Sequence, residues 1–475
     1  MVFSSAVFLF FFLPAVLAAY YAAPRRFRNA VLLLFSLGFY LWGAGWITLV
    51  LLGSITVNYV VGLRVEQAMD AGRVDAARRA LALGVVVNVA LLGWFKYANF
   101  GVDTANALFG SVGLPAMPWN DVLLPIGISF FTFHALSYLI DIYRGTARHL
   151  VAPVDFALYI AFFPQLIAGP IVRFHEIRDQ LVTRRETADA FAAGIYRFSL
   201  GLAKKVLIAD AVAPLADTVF ATQPSDLAAP AALLGLVAYA VQLYFDFSGY
   251  SDMALGLALM VGIRLPENFD RPYASRSVTE FWRRWHMSLS RWFRDYLYFP
   301  LGGNRGGSLA TYRNLVIVFL VTGLWHGAAW TFVLWGAYHG VLMLLERAVG
   351  VGRGGQSDRA RIWQPVTIAL VLFGWILFRS PSLGYAAGFM GAFTRLRLTL
   401  PVEVGLVLNP LLIAALVIGC LSVLIPATWV TGRRVEDPVP RLNRSLRLAC
   451  VWVLLPASLI MVVASGFSPF LYFQF

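Results

Sequence analysis

The chain predicts an all-α, polytopic integral membrane protein, and three observations carry that reading. Of its 475 residues, 59% are hydrophobic and only 13% are charged, where soluble domains carry about 25% charged residues. Apolar segments recur from the first residues to the last without a low-complexity linker between them, so a single domain over residues 1–475 is expected. The 38 basic residues outnumber the 25 acidic ones and gather in short stretches between the apolar segments, as they do in cytoplasmic loops.

Taken in order, Val2 to Ala23 forms the first crossing. It has no basic stretch ahead of it, and Arg25, Arg26 and Arg28 follow it. That charge order is not a signal peptide's, and it sets the C-terminal end of the segment in the cytoplasm. Two segments share Ala30 to Leu63, with Trp42-Gly43-Ala44-Gly45-Trp46 as an outer turn. Arg64 to Arg79 reads as a cytoplasmic loop, Leu81 to Phe95 as an outward crossing, and Asn99 to Asn120 as an outer loop containing Gly and Pro. Leu123 to Tyr143 crosses back. Phe156 to Val172 is interrupted by Pro164, Gly169 and Pro170 and flanked by arginines on both sides, which predicts a broken or re-entrant segment covered by protein.

Phe191 to Val219 and Ala231 to Ile263 are further apolar stretches, the second long enough for a bent helix or two pieces. Arg264 to Arg313 has nine arginines and four acids among many aromatics, so it is placed as amphipathic helices at the cytoplasmic face or dipping into it. Leu315 to Leu345, Trp363 to Phe378, Val404 to Thr428 and Leu446 to Ala464 complete about eleven crossings plus re-entrant and interfacial helices, with a periplasmic C-terminus.

Several chemistries are excluded. There is no G-x-S-x-G elbow, H-E-x-x-H, Walker A sequence or G-x-G-x-x-G after a strand. Cys420 and Cys450 lie in separate apolar segments with no Cys or His at ligand spacing, so neither a disulfide framework nor a metal site is expected. The net charge of +13 is read as topology signal and lipid headgroup contact, not as nucleic-acid binding.

Six histidines are the chemical candidates. His326 stands in Gly323-Leu324-Trp325-His326-Gly327, within an uncharged stretch, where a neutral imidazole can take a proton from a hydroxyl. The bland alternative is a packing histidine between helices, with Gly323 and Gly327 permitting close approach. His339 lies 13 residues on (339 − 326) and cannot share a site with His326 on one continuous helix, so an interfacial place near Glu346 and Arg347 is expected. His286 belongs to Trp282-Arg283-Arg284-Trp285-His286, either an interfacial amphipathic helix or an approach for a polyanionic donor such as coenzyme A. Leu301 to Gly307, including Asn304 and Arg305, is either a phosphate-facing turn or a plain loop. Lys204, Lys205, Asp246 and Asp252 are read as pairs inside the bundle or snorkelling groups. His134 is read as a core residue, and His149 and His175 as loop residues.

Together, Leu124 to Phe133, Phe162 to Ile171, Asp246 to Asp252, Asn268 to Asn304, the His326 run and Tyr472-Phe473-Gln474-Phe475 resemble the membrane-bound O-acyltransferase superfamily. The closer resemblance is to its bacterial branch containing the membrane subunit of alginate O-acetylation. The resemblance spans about residue 90 to the end and puts the family's invariant histidine on His326 and its second histidine on His286. It implies a bowl of tilted helices with a central tunnel, and transfer of an acetyl group from a cytosolic thioester, acetyl-CoA, in the bacterial inner membrane. No permanently bound cofactor is expected. The acyl group would serve O-acetylation of an exopolysaccharide such as alginate, completed by a periplasmic acetyltransferase partner. On that reading His326 and His286 are catalytic, and Arg283, Arg284, Asn304 and Arg305 meet the donor. Two alternatives stay open: D-alanyl transfer from a carrier-protein thioester, and a glycan transporter or flippase with His326 as a proton relay.

Overall fold

The computed structural model describes residues 1–350, 359–422, 425, 444–465 and 470, and every regular element among the described residues is a helix. The expected Tyr472 to Phe475 match lies outside the described residues, as does the end of the expected crossing Val404 to Thr428. Among the described residues, five stretches are long and apolar enough to cross a membrane: Arg25–Asp70, Val74–Ser111, Ala229–Met260, Gly307–His326 and Arg447–Ala464. Shorter apolar helices, among them Phe8–Ala22, Ile128–Tyr143 and Trp363–Arg379, accompany them. The chain packs as two compact units, Met1–Ala192 with Leu257–Leu265, and Ala193–Gly256 with Pro266–Phe475.

In the first unit the expected outer turn falls at Gly45, whose φ of 56° breaks the chain between helices Arg28–Ala44 and Thr48–Asp70. The expected loop from Arg64 to Arg79 shrinks to Ala71–Arg73, because Thr48–Asp70 and Val74–Ser111 both run through its charged residues. The expected outer loop from Asn99 is helical as far as Ser111. A helical Gly costs only about 1 kcal/mol, so Gly101 and Gly110 do not end the helix, and the prolines come later, at Pro115 and Pro118. Between the two helices, Asn58 and Asn88 donate to one another's amide oxygens at 3.1 and 2.7 Å, a satisfied polar pair on otherwise apolar surfaces. The predicted break near Pro164 is present: helix Pro153–Ala161 stops at Phe162 (ψ 110°), a short turn Phe163–Leu166 follows, and Leu158 to Val172 is buried throughout.

In the second unit, helix Ala188–Ala203 passes through one wide turn at Lys204–Ala209 into Asp210–Ala221. It packs on Ala229–Met260, a single helix, at backbone distance: a Cβ on Gly201 would lie 2.5 Å from the Gly249 carbonyl oxygen. The ionisable residues here pair. Lys205 Nζ is 2.7 Å from both Asp210 and Asp246, while Arg197 and Lys204 each lie 2.6 Å from Asp252. Buried charges in such a setting are tolerable only when paired. The segment Arg264 to Arg313 dips inward, with Trp282, Trp285, Trp292 and Phe293 buried on the short helices Val278–Arg284 and Met287–Phe293 and in the bend between them.

Candidate functional site

His326 is the last residue of helix Gly307–His326. Gly327 then turns extended, and a second helix, Trp330–Ala348, folds back on the first. The glycines make this hairpin possible. A Cβ on Gly323 would run into the Phe332 carbonyl oxygen, and one on Gly336 into the Phe319 carbonyl oxygen. The helix therefore breaks, which changes the fate of His339. It is fully buried, with its ring 5.0 Å from Trp335, and Trp335 in turn is 5.1 Å from His326. The interfacial place expected for His339 assumed an unbroken helix.

His326 is 4% exposed and enclosed by rings: Trp325 at 4.9 Å, Trp335 at 5.1 Å, Phe378 at 5.3 Å and His286 at 6.5 Å between centroids. The structure thus brings together the two histidines that lie 40 residues apart (326 − 286) in the sequence.

His286 sits at the start of helix Met287–Phe293 with φ 43° and ψ 54°, one of two described non-glycine residues with positive φ. A left-handed conformation costs an L-residue roughly 1–2 kcal/mol and is seldom kept without a purpose. Here it reverses the chain between Val278–Arg284 and Met287–Phe293 and turns the imidazole inward, fully buried. Burial pushes His286 down to about 3, so the ring is neutral at pH 7. Its Nδ1 is 3.1 Å from Asn268 Oδ1, which also accepts from the Ser288 backbone N–H at 3.2 Å and the Ser288 hydroxyl at 2.9 Å. Nothing in the spacing of the sequence pointed to Asn268, 18 residues upstream, and only the fold reveals it.

A cavity of about 630 Å³ opens beside this pair. Arg283, Arg291, Arg294 and Arg347 line it together with an apolar wall that includes Val318 and Phe319. Met287 and Thr322 also line it, one residue after His286 and one turn before His326, whereas neither histidine ring does. Of the residues expected to meet a donor, Arg283 faces this cavity. Arg284 is 2.7 Å from Glu280 and lines neither this cavity nor the next. Asn304 and Arg305 line a separate space of about 270 Å³ with Gly302 and Gly303.

The other histidines have polar partners. The Val172 N–H donates to His134 Nε2 at 3.3 Å, His149 Nδ1 is 2.5 Å from the Tyr138 hydroxyl, and His175 Nδ1 is 2.8 Å from Asp141 Oδ2. Among the described residues no cluster of three or more His, Cys, Asp or Glu has a geometry suited to a metal ion.

The sequence profile of the membrane-bound O-acyltransferase family matches residues 127–378, a span that includes His286, His326 and the cavity wall. Over the full length of both chains the sequence is 46% identical to the probable alginate O-acetylase AlgI of Azotobacter vinelandii. It is 38% identical to a peptidoglycan O-acetyltransferase of Helicobacter pylori, over 81% of this chain and 78% of that one. A teichoic acid D-alanyltransferase of Bacillus subtilis is 31% identical over 48% of this chain and 60% of its own.

Proposed function

The chain belongs to the membrane-bound O-acyltransferase family and is an O-acyltransferase; from that premise we propose that it moves an acetyl group from cytosolic acetyl-CoA across a bacterial inner membrane for O-acetylation of an extracellular or periplasmic polysaccharide such as alginate. End-to-end identity of 46% with a probable alginate O-acetylase is the observation that carries the reading. The family span crosses the boundary between the two compact units at Ala192, which supports treating the chain as one functional membrane domain, to which the proposal gives about eleven crossings around a tunnel.

In this mechanism the imidazole of His326 accepts the proton of an acceptor hydroxyl, and the oxygen attacks the thioester carbonyl carbon. As the tetrahedral intermediate collapses the C–S bond breaks, and the departing thiolate takes the proton back from the imidazolium. The products are the O-acetyl ester and free coenzyme A. The neutral ring of His286, 6.5 Å away, orients the acceptor or stabilises developing charge. Aromatic rings around His326 exclude water, which would otherwise hydrolyse the thioester. The donor's phosphates meet Arg283 at the mouth of the arginine-lined cavity, with Arg291, Arg294 and Arg347 beside it. Asn304 and Arg305 offer a second phosphate contact, and Arg284 braces the segment through Glu280. A periplasmic acetyltransferase completes delivery to the glycan.

Turnover of radiolabelled acetyl-CoA by the purified full chain tests this. Release or transfer of acetyl that rises with acetyl-CoA, and whose KM rises several-fold in Arg283→Ala with Arg347→Ala, supports the reading. Activity confined to a carrier-protein thioester would move the chain to the D-alanyl transfer chemistry named for the Bacillus subtilis relative.

A further inference from the structure

We infer that Asn268 is a positioning residue for the reaction, holding His286 in the tautomer that carries its proton on Nδ1 and its lone pair on Nε2. The inference rests on the acyltransfer reading of His286 and deepens it.

The backbone N–H of Ser288 decides the orientation of the amide. That N–H can only donate, and it lies 3.2 Å from the atom assigned as Asn268 Oδ1. Turning the amide over would set two donors against each other, so the oxygen must stand there. The Nδ2 group then faces the Ser251 hydroxyl at 3.1 Å, where an acceptor is available. With the oxygen fixed, the atom 3.1 Å from it on the imidazole, Nδ1, must be the donor. His286 is neutral, so its proton sits on Nδ1 and Nε2 carries the lone pair.

The frame around this amide is held from two sides. Met287 N–H donates to the Asn268 carbonyl at 2.9 Å, and Asp270 N–H donates to the Arg284 carbonyl at 2.9 Å, which ties the segment of Asn268 to the segment of His286. Arg291 bonds the carbonyls of Glu267 and Met287, each next to one of the two residues. On the other side, Arg197 joins Glu267 and Asp252, the chain neighbours of Asn268 and Ser251. An amide fixed this firmly, 1% exposed and bonded at both ends, has little freedom to follow the ring, so the ring follows the amide. A wrong tautomer at a catalytic histidine costs orders of magnitude in rate even when its geometry survives.

Two measurements on the full chain in lipid nanodiscs test this. In protein labelled with ¹⁵N-histidine, the His286 signals are assigned by their loss in His286→Asn. They should report a proton on Nδ1 in the natural sequence and a shift toward the Nε2-protonated form in Asn268→Leu. In turnover with acetyl-CoA as the probe, Asn268→Leu should lower kcat about 10- to 100-fold with KM for acetyl-CoA unchanged. Asn268→Asp, which keeps every acceptor contact, should recover most of that loss. A proton found on Nε2 in the natural sequence overturns the inference, as does an Asn268→Asp no better than Asn268→Leu, or an effect confined to KM. If Asn268→Leu does not fold, the ¹⁵N assignment in the natural sequence still decides. Full activity in His286→Asn would instead sink the catalytic reading of His286, whatever its tautomer.

Discussion

Each compact unit contains three histidines, and the two sets are held by different chemistry. In the first unit His134 accepts from a backbone N–H, His149 meets a tyrosine hydroxyl, and His175 meets a carboxylate. In the second unit His286, His326 and His339 sit in one chain of aromatic contacts through Trp325 and Trp335, with a neutral amide on His286 and an indole N–H on His339. Burial alone does not separate them, since His134 and His286 are equally inaccessible. What separates them is the surroundings: His286 and His326 lie 6.5 Å apart, imidazole beside imidazole, and on the proposed reading it is this pair that exchanges a proton with a ligand, whereas the histidines bonded to a backbone N–H, a hydroxyl and a carboxylate brace the fold.

The sharpest way to break that distinction is substitution at the two kinds of site. His326→Ala should lower acetyl transfer per folded molecule by about 10²- to 10⁴-fold while polymer export continues. His134→Ala should lower the yield of folded protein and leave the turnover of what folds within a few-fold. Acetylation assays normalised to monodisperse protein read both, and the opposite ranking would dissolve the contrast.

Glycines sharpen it next. Gly323→Ala drives a methyl into the Phe332 carbonyl and should cost about 1–3 kcal/mol as the hairpin spreads. Gly101→Ala, in a helix with open space around it, should be neutral or stabilise by up to about 1 kcal/mol. Thermal unfolding in detergent measures the pair.

The smallest effect concerns His175. Its hydrogen bond to Asp141 raises its proton affinity in the folded protein above the ordinary value. A raised pKa contributes stability that is complete below the unfolded value of about 6.5 and is lost as pH climbs through the folded value. The gap in melting temperature between the natural sequence and Asp141→Asn should therefore be widest near pH 6 and close by about pH 9. The half-exposed ring limits it to under about 1 kcal/mol. A gap that grows with pH would contradict the assignment.

The all-helical membrane class was legible because it depends on composition and on apolar runs longer than a bilayer requires. The break near Pro164 was legible because proline cannot donate its missing N–H. The extension of Val74–Ser111 was not, since glycine marks turns and helix interiors alike and only packing decides between them. At the site, His326 and His286 stood out through the family resemblance and their flanking residues, but the hairpin that buries His339 depended on Gly327 turning extended, which periodicity does not encode. Arg283 and Arg284 are adjacent in sequence, yet only Arg283 faces the large cavity, because Glu280 one turn earlier engages Arg284. Asn268 was silent for a related reason. An amide has no distinctive spacing, and its significance comes from three donors that converge on it only after folding.

The seam between Gly323 and Gly336 has a mechanical consequence. At this crossing main chain rests on main chain, with no side chain between the two glycines to bend or change rotamer, so sliding one helix past the other would have to deform the backbone there. His326 is thus carried on a stiff two-helix lever. On the proposed reading, room for an acetyl group beside its ring then has to come from the other walls around His326, among them Phe378 on the helix Arg359–Arg379, and not from the arm that bears the histidine.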